Sequence, residues 1–163
     1  MVKVFICKGD KSTSHSILFE ILSTQYNLNY GESDLFKTEY GKYYIENCPV
    51  KFNISHSKDN IVVAVSDSEV GVDTEIIKDD FRVRRIFGVI PKTAKQYAEL
   101  WTKAEAIVKY RASSILLDLK KIDLSDGVKY DGAPLDVSLY TFVENDLVIT
   151  LATTDEKYEV VKL

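Results

Sequence analysis

Apolar positions along the 163-residue chain fall into two alternating kinds of stretch. Val2–Ile6 is a short β-branched run of strand character, and after the helix-start residues Ser12–Ser16 the apolar Ile17, Leu18, Ile21 and Leu22 follow a 3.6-residue period. Asn29–Ser33 reads as a turn. Asn53–His56, Ile61–Val65 and Val70–Ile76 read as strands, the first two joined by the polar turn Ser57–Asn60. IVVAV is apolar on both faces, which predicts a central strand covered on both sides. Thr93–Lys109 carries the strongest helical pattern, as one helix or as two meeting near Leu100–Thr102, with Pro91 and Thr93 as its start signal. Beyond a turn at Gly127–Gly132, strands are predicted near Val137–Val143, Leu147–Ala152 and Tyr158–Val161.

One offset recurs. Shifting by 86 residues lays Asp59–Val65 on Asn145–Leu151, Gly41 on Gly127, and Ile21-Leu22 on Ile107-Val108. The spacing predicts two copies of one α/β unit, about 1–72 and 73–163, packed as one compact unit with a site between them. At this offset Ser55 and His56 have Thr141 and Phe142 as counterparts, so only one copy of any site is kept.

Composition is that of an ordinary globular domain, with 45% hydrophobic and 28% charged residues. A net charge of −4 gives no support to a nucleic-acid binder. Two cysteines, Cys7 and Cys48, make no disulfide framework, and the N-terminal apolar run is too short for a signal peptide or membrane span. The expectation is a cytoplasmic protein in a reducing compartment.

Candidate chemistry lies in FNISHS (52–57), VGVDTE (70–75) and WTKAEAIVK (101–109). On a strand, Asp73 and Glu75 point to one face, where two anions repel unless a hard cation such as Mg²⁺ is shared between them. On a helix, Glu105 and Lys109 are i,i+4 neighbours. They form either a surface ion pair or a third carboxylate and a cation at a phosphate. His56 between Ser55 and Ser57 is either structural or a phosphate contact; His15 carries no signal. A Ser-His hydrolase is disfavoured, because no GxSxG elbow is present. No glycine-rich phosphate loop is present either, so a bound nucleotide would be held by side chains and a metal.

Taken in order, YGKYY, FNISHS, VGVDTE and WTKAEAIVK resemble the 4′-phosphopantetheinyl transferases, matching the larger pseudo-twofold branch of that superfamily from about Gly41 to Lys109. The resemblance implies an α/β fold of two similar halves with the site between them, expected here as a short, monomeric member. It implies transfer of the 4′-phosphopantetheine arm of coenzyme A to a serine of an apo carrier protein, with release of 3′,5′-ADP. By position, Asp73, Glu75 and Glu105 would ligate Mg²⁺, while Lys42, Ser55, His56, Lys103 and Lys109 would hold coenzyme A. Asp73, Glu105 and Lys109 would carry catalysis, with Glu105 or a water it orients taking the serine proton. Lys8 and Lys11 are the available cations for the 3′-phosphate. The chain departs from the family pattern at Tyr43, where a proline is usual, and at Ala104, where a lysine is usual. It departs again at Arg111-Ala112-Ser113, which replaces a glycine-containing turn, and IFGVIPK before WTK lacks the family's glutamate. A degenerate protein that binds coenzyme A or a carrier protein without turnover is the rival expectation.

Overall fold

A computed structural model describes residues 1–163 as an α/β fold. In chain order the elements are β1 (Val2–Lys8), α1 (Ser14–Tyr26), β2 (Leu35–Lys37), β3 (Tyr43–Ile45), β4 (Lys51–Ser57), β5 (Asn60–Ser66), β6 (Val70–Ile76), α2 (Ala94–Tyr110), α3 (Ile115–Asp118), β7 (Ile122–Asp123), β8 (Lys129–Tyr130), β9 (Ala133–Pro134), β10 (Ser138–Glu144), β11 (Leu147–Thr153) and β12 (Tyr158–Lys162). The larger sheet runs β12-β1-β5-β4, the second β10-β11-β6, and β2-β3 and β7-β8-β9 form two small sheets. No helix is long and apolar enough to cross a membrane.

Strand alternation decides the layers. Val62 and Ala64 face Val72, Ile149 and Leu151 across the gap between the two large sheets. The odd residues Ile61, Val63 and Val65 turn to α1 and meet Leu18, Ile21 and Leu22. That explains why IVVAV is apolar throughout: each face of β5 has its own core. α2 covers the outer face of the second sheet as one continuous helix, so the possible break near Leu100–Thr102 is absent. The Thr93 side chain accepts from the Gln96 N–H at 3.1 Å and fixes its start. Buried Thr102 is tied to Thr150 of β11 at 2.8 Å.

The two large sheets share one wiring. β1 pairs antiparallel with β5, which pairs with β4; β6 pairs antiparallel with β11, which pairs with β10. The hairpin turns are Lys58-Asp59 and Asn145-Asp146, with φ of 51° at Lys58 and 55° at Asn145. These turns set the hairpins 87 residues apart, not 86. With that offset Ser55 and His56 stand opposite Phe142 and Val143, one place from the counterparts expected from sequence. Matching ladder registers put β6 on β1, Val70 on Val2, so a second unit would begin at Val70; a boundary after residue 72 cuts through β6. In the same register the buried Phe5 and Cys7 occupy the positions of Asp73 and Glu75. The acidic pair exists in one of the two sheets only.

Candidate active site

β6 is the edge of its sheet, and its free backbone groups are met by side chains of β4. Asn53 Oδ1 accepts from the Val72 N–H at 2.8 Å, and Ser55 Oγ accepts from the Thr74 N–H at 3.2 Å. Both residues are buried, so these bonds seal the seam between the two large sheets where water cannot substitute. Ser55 Oγ also donates to Asp73 Oδ1 at 2.9 Å and accepts from Lys109 Nζ at 3.1 Å. One hydroxyl thus uses its single proton and both lone pairs.

α2 brings Lys109 to this point. Gly71 lets it do so, because a Cβ there would stand 2.1 Å from the Ala106 carbonyl oxygen and 2.4 Å from the Tyr110 nitrogen. The helix backbone lies directly on β6, and Lys109 Nζ reaches Asp73 Oδ1 at 2.7 Å. Asp73 is 7% exposed, so this pair is largely shielded from solvent. Of the two readings of the Glu105–Lys109 spacing, the i,i+4 ion pair is not made; the lysine pairs across the seam with Asp73 instead.

Glu105 lies beside them. Burial pushes its carboxyl above the usual range, and the anions of Asp73 and Glu75 push the same way against the pull of Lys109. Below the ordinary carboxyl value, folded and unfolded chains both hold the proton and the group has no effect on stability. Above it, the folded chain must carry a charge it disfavours, so stability falls as pH rises through the raised value. Glu105→Gln is therefore expected to raise the melting temperature at neutral pH and to change it little at about pH 3, where ordinary carboxyls are protonated. Equal shifts at both pH values in thermal melts would contradict this.

Glu75 shares the α2-facing side of β6 with Asp73 but pairs with Lys78 at 3.0 Å. No three acidic, histidine or cysteine groups stand close enough together to share an ion, so the expected convergence of Asp73, Glu75 and Glu105 on one point is not the arrangement seen. The reason is local: Asp73 and Glu75 each have a lysine partner. The donor set nevertheless consists of oxygens alone, which suits a hard divalent cation, and the crowding of Asp73 and Glu75 upon Glu105 is what such a cation relieves.

A cavity of about 640 Å³ opens over this cluster, lined by Lys42 of the β2–β3 loop, Ser55 and His56 of β4, and Glu105 and Lys109 of α2. His56 is exposed in its wall. Lys42 Nζ is held by Glu69 at 2.8 Å and by the Val70 carbonyl at 3.1 Å, which anchors the β2–β3 loop to the start of β6. Lys103 does not reach the cavity. It stands two residues before Glu105, about 200° around the helix from it. Ala104 is fully enclosed among Phe87, Leu100 and Ile107, so the position where the family pattern has a lysine is core here. Of the two N-terminal lysines, Lys11 lines the cavity, whereas Lys8 pairs with Asp59 at 3.1 Å outside it. His15 was without a sequence signal, yet it lines the cavity too, edge-on to Tyr43 at 4.5 Å and bonded to Glu32 at 2.7 Å. Only the fold brings α1 to this wall. The Arg111-Ala112-Ser113 segment closes α2 in the usual left-handed way, with Ala112 at φ 51° and the Ser113 N–H bonded to the Val108 carbonyl at 3.0 Å.

Similarity to known proteins runs through this region. A 4′-phosphopantetheinyl transferase, Gsp of Aneurinibacillus migulanus, is 31% identical over 116 residues, covering 61% of this chain and 48% of the relative. The chain thus spans about half the length of the curated relative it matches. No protein-family model matches the chain.

Proposed function

We propose, from the premise that the chain belongs to the 4′-phosphopantetheinyl transferase superfamily, that it moves the 4′-phosphopantetheine arm of coenzyme A onto a serine hydroxyl of an apo carrier protein and releases 3′,5′-ADP. The observation that carries the reading is the Ser55–Asp73–Lys109 triangle at the seam of the halves, with Glu105 beside it under one cavity.

In this reading Lys42, Ser55 and His56 bind the phosphates of coenzyme A, and Lys11 is the cation nearest the start of α1 in the same wall. Asp73, Glu75 and Glu105 would hold Mg²⁺. When bound, the ion neutralises charge on the pyrophosphate. Lys109 donates hydrogen bonds to the pyrophosphate as negative charge builds on the leaving group. The acceptor serine oxygen bonds to the phosphorus that carries pantetheine, and the bond from that phosphorus to the bridging oxygen breaks. The electron pair leaves with 3′,5′-ADP, and the serine proton passes to Glu105, directly or through a water. The raised affinity of Glu105 for a proton suits that task. The cavity is completed within one chain, so the working unit is a monomer, placed in the cytoplasm and needing neither nucleic acid nor membrane.

A second reading, a binder of coenzyme A or carrier protein without turnover, is favoured by the enclosed Ala104 and the averted Lys103, which leave the site two cations poorer than the residues named from the family pattern. Chromatography of nucleotide products separates the two. Incubation with coenzyme A, an apo carrier protein and Mg²⁺ is expected to release 3′,5′-ADP in amounts equal to acceptor, and chelation of the metal is expected to stop it. Coenzyme A binding with no release against several carriers would leave the binder.

A further inference from the structure

Charge divides the lining of the cavity over the acidic cluster. Lys11, Lys42 and His56 reach it from the start of α1, the β2–β3 loop and β4. The turn after α2 lines it with Ala112, Ser113, Ser114 and Ile115 and brings no charge at all. This turn also closes the C-terminal end of α2, where helix carbonyls carry partial negative charge and disfavour an anion. Phosphates are therefore drawn to the lysines, whereas this stretch of wall suits a neutral chain of mixed apolar and hydrogen-bonding groups.

Both serines are free to bond such a chain. Ser114 stands at the N-cap of α3, where a serine hydroxyl ordinarily accepts from the first turn, yet it makes no cap bond. Only its carbonyl serves the helix, accepting from the Leu117 and Asp118 N–H groups at 3.1 and 3.0 Å. Ser113 gives its backbone N–H to the Val108 carbonyl, and its hydroxyl has no partner within the chain. The turn is also clamped. Arg111 stacks on the Tyr130 ring at 3.7 Å, Tyr130 donates to Asp118 Oδ1 at 2.7 Å, and Lys121 Nζ donates to the Tyr130 hydroxyl at 3.3 Å. Asp118 is 1% exposed, and its second oxygen accepts no hydrogen bond, with Arg111 Nε at 3.9 Å. Burying a half-bonded carboxylate is destabilising in itself. What the clamp secures is the shape of residues 112–115, because it joins the end of α2 to α3 and β8.

We propose that Ser113, Ser114 and Ile115 form the subsite for the neutral pantetheine arm of coenzyme A, with the Arg111–Tyr130–Asp118 clamp positioning them. This rests on coenzyme A as the substrate of the transferase reading, and it adds where the arm lies and what holds it. The arm carries amides, a hydroxyl and a dimethyl group, which match serine hydroxyls set beside the Ala112 and Ile115 side chains. Ser113 follows Lys109 by four residues, about one helical turn, so an arm bound here starts from the phosphorus that Lys109 attends. Where the family pattern has a glycine-containing turn, this chain has two hydroxyls, so the subsite is its own.

Calorimetry on the full chain with two ligands tests this: coenzyme A, and 3′,5′-ADP, which lacks the arm. Ser113→Ala with Ser114→Ala is expected to weaken coenzyme A by about tenfold, the effect of two modest hydrogen bonds, and to leave 3′,5′-ADP unchanged. Neither hydroxyl bonds within the chain, so the melting temperature should stay that of the wild type. Ser114→Thr keeps a hydroxyl and is expected to keep wild-type affinity for both ligands. Tyr130→Phe retains the ring beneath Arg111 but removes the bond to Asp118; it is expected to weaken coenzyme A by about threefold and to spare 3′,5′-ADP. Equal losses for both ligands in the double variant would put the serines on the nucleotide and overturn the arm subsite, as would unchanged coenzyme A affinity. Equal effects on both ligands in Tyr130→Phe would reduce the clamp to a structural role. If losses fall on coenzyme A alone but no carrier yields 3′,5′-ADP, the subsite stands and the transferase reading falls. If transfer proceeds with an unchanged KM for coenzyme A in the double variant, transfer stands and the subsite falls.

Discussion

Gly71→Ala is expected to cost about 3 kcal/mol or more in urea unfolding, toward the upper end for overpacked positions, and to remove most transferase activity from what still folds. The added methyl would meet backbone rather than a flexible side chain, at 2.1 Å from Ala106 O and 2.4 Å from Tyr110 N. Neither atom can rotate away, so α2 must lift from β6. Lifting it withdraws Glu105 and Lys109 from Asp73, and the 2.7 Å contact between lysine and aspartate is lost. A buried carboxylate without its cation adds its own cost. Gly31→Ala is the matched control, since nothing lies within 4 Å of a Cβ there; its effect should stay within about 0.5 kcal/mol. If Gly71→Ala melts with the wild type, the close approach of helix and strand is wrong, and with it the placement of the whole cluster.

Lys109→Ala is expected to lower kcat by about a hundredfold or more, a loss of roughly 3 kcal/mol in transition-state stabilisation. His56→Ala is expected chiefly to raise KM for coenzyme A, and to do so less for an analogue lacking the 3′-phosphate. The difference follows from position. Lys109 sits at the seam with Asp73 and Ser55, where charge would develop, whereas His56 is exposed in the cavity wall and would bind ground and transition states alike. Steady-state kinetics on both variants, with melting curves to confirm folding, check the division. Normal turnover by Lys109→Ala would reduce that lysine to a structural counter-ion of Asp73.

Much of this was legible in the sequence, for reasons that can be named. The odd residues of VGVDTE share a face, and that face carries Gly71, Asp73 and Glu75 toward α2. The start of α2 was legible at Thr93, whose side chain does cap the helix. Register was not. Ile61–Val65 and Leu147–Leu151 are apolar on both faces, so no alternation marks a slip of one residue, and only the turn residues place the hairpins 87 apart. The short β2, β3 and β7–β9 strands and the one-turn α3 have too few residues to show a period. Lys103 is next in sequence to the position of the family's lysine, but adjacency in sequence says nothing about the angle around a helix. The pairs Lys109–Asp73 and Lys42–Glu69 join residues 36 and 27 apart, and only the assembled seam brings them together.

The central claim is that one chain, using the cluster at its seam, makes a new phosphodiester on another protein. Intact-mass spectrometry of an apo carrier protein tests it most directly, after incubation with this chain, coenzyme A and Mg²⁺. The account predicts a gain of about 340 Da on the acceptor serine, the mass of one phosphopantetheine arm, and no gain with Asp73→Ala. An unchanged carrier mass under saturating coenzyme A, or an equal gain with Asp73→Ala, would contradict it.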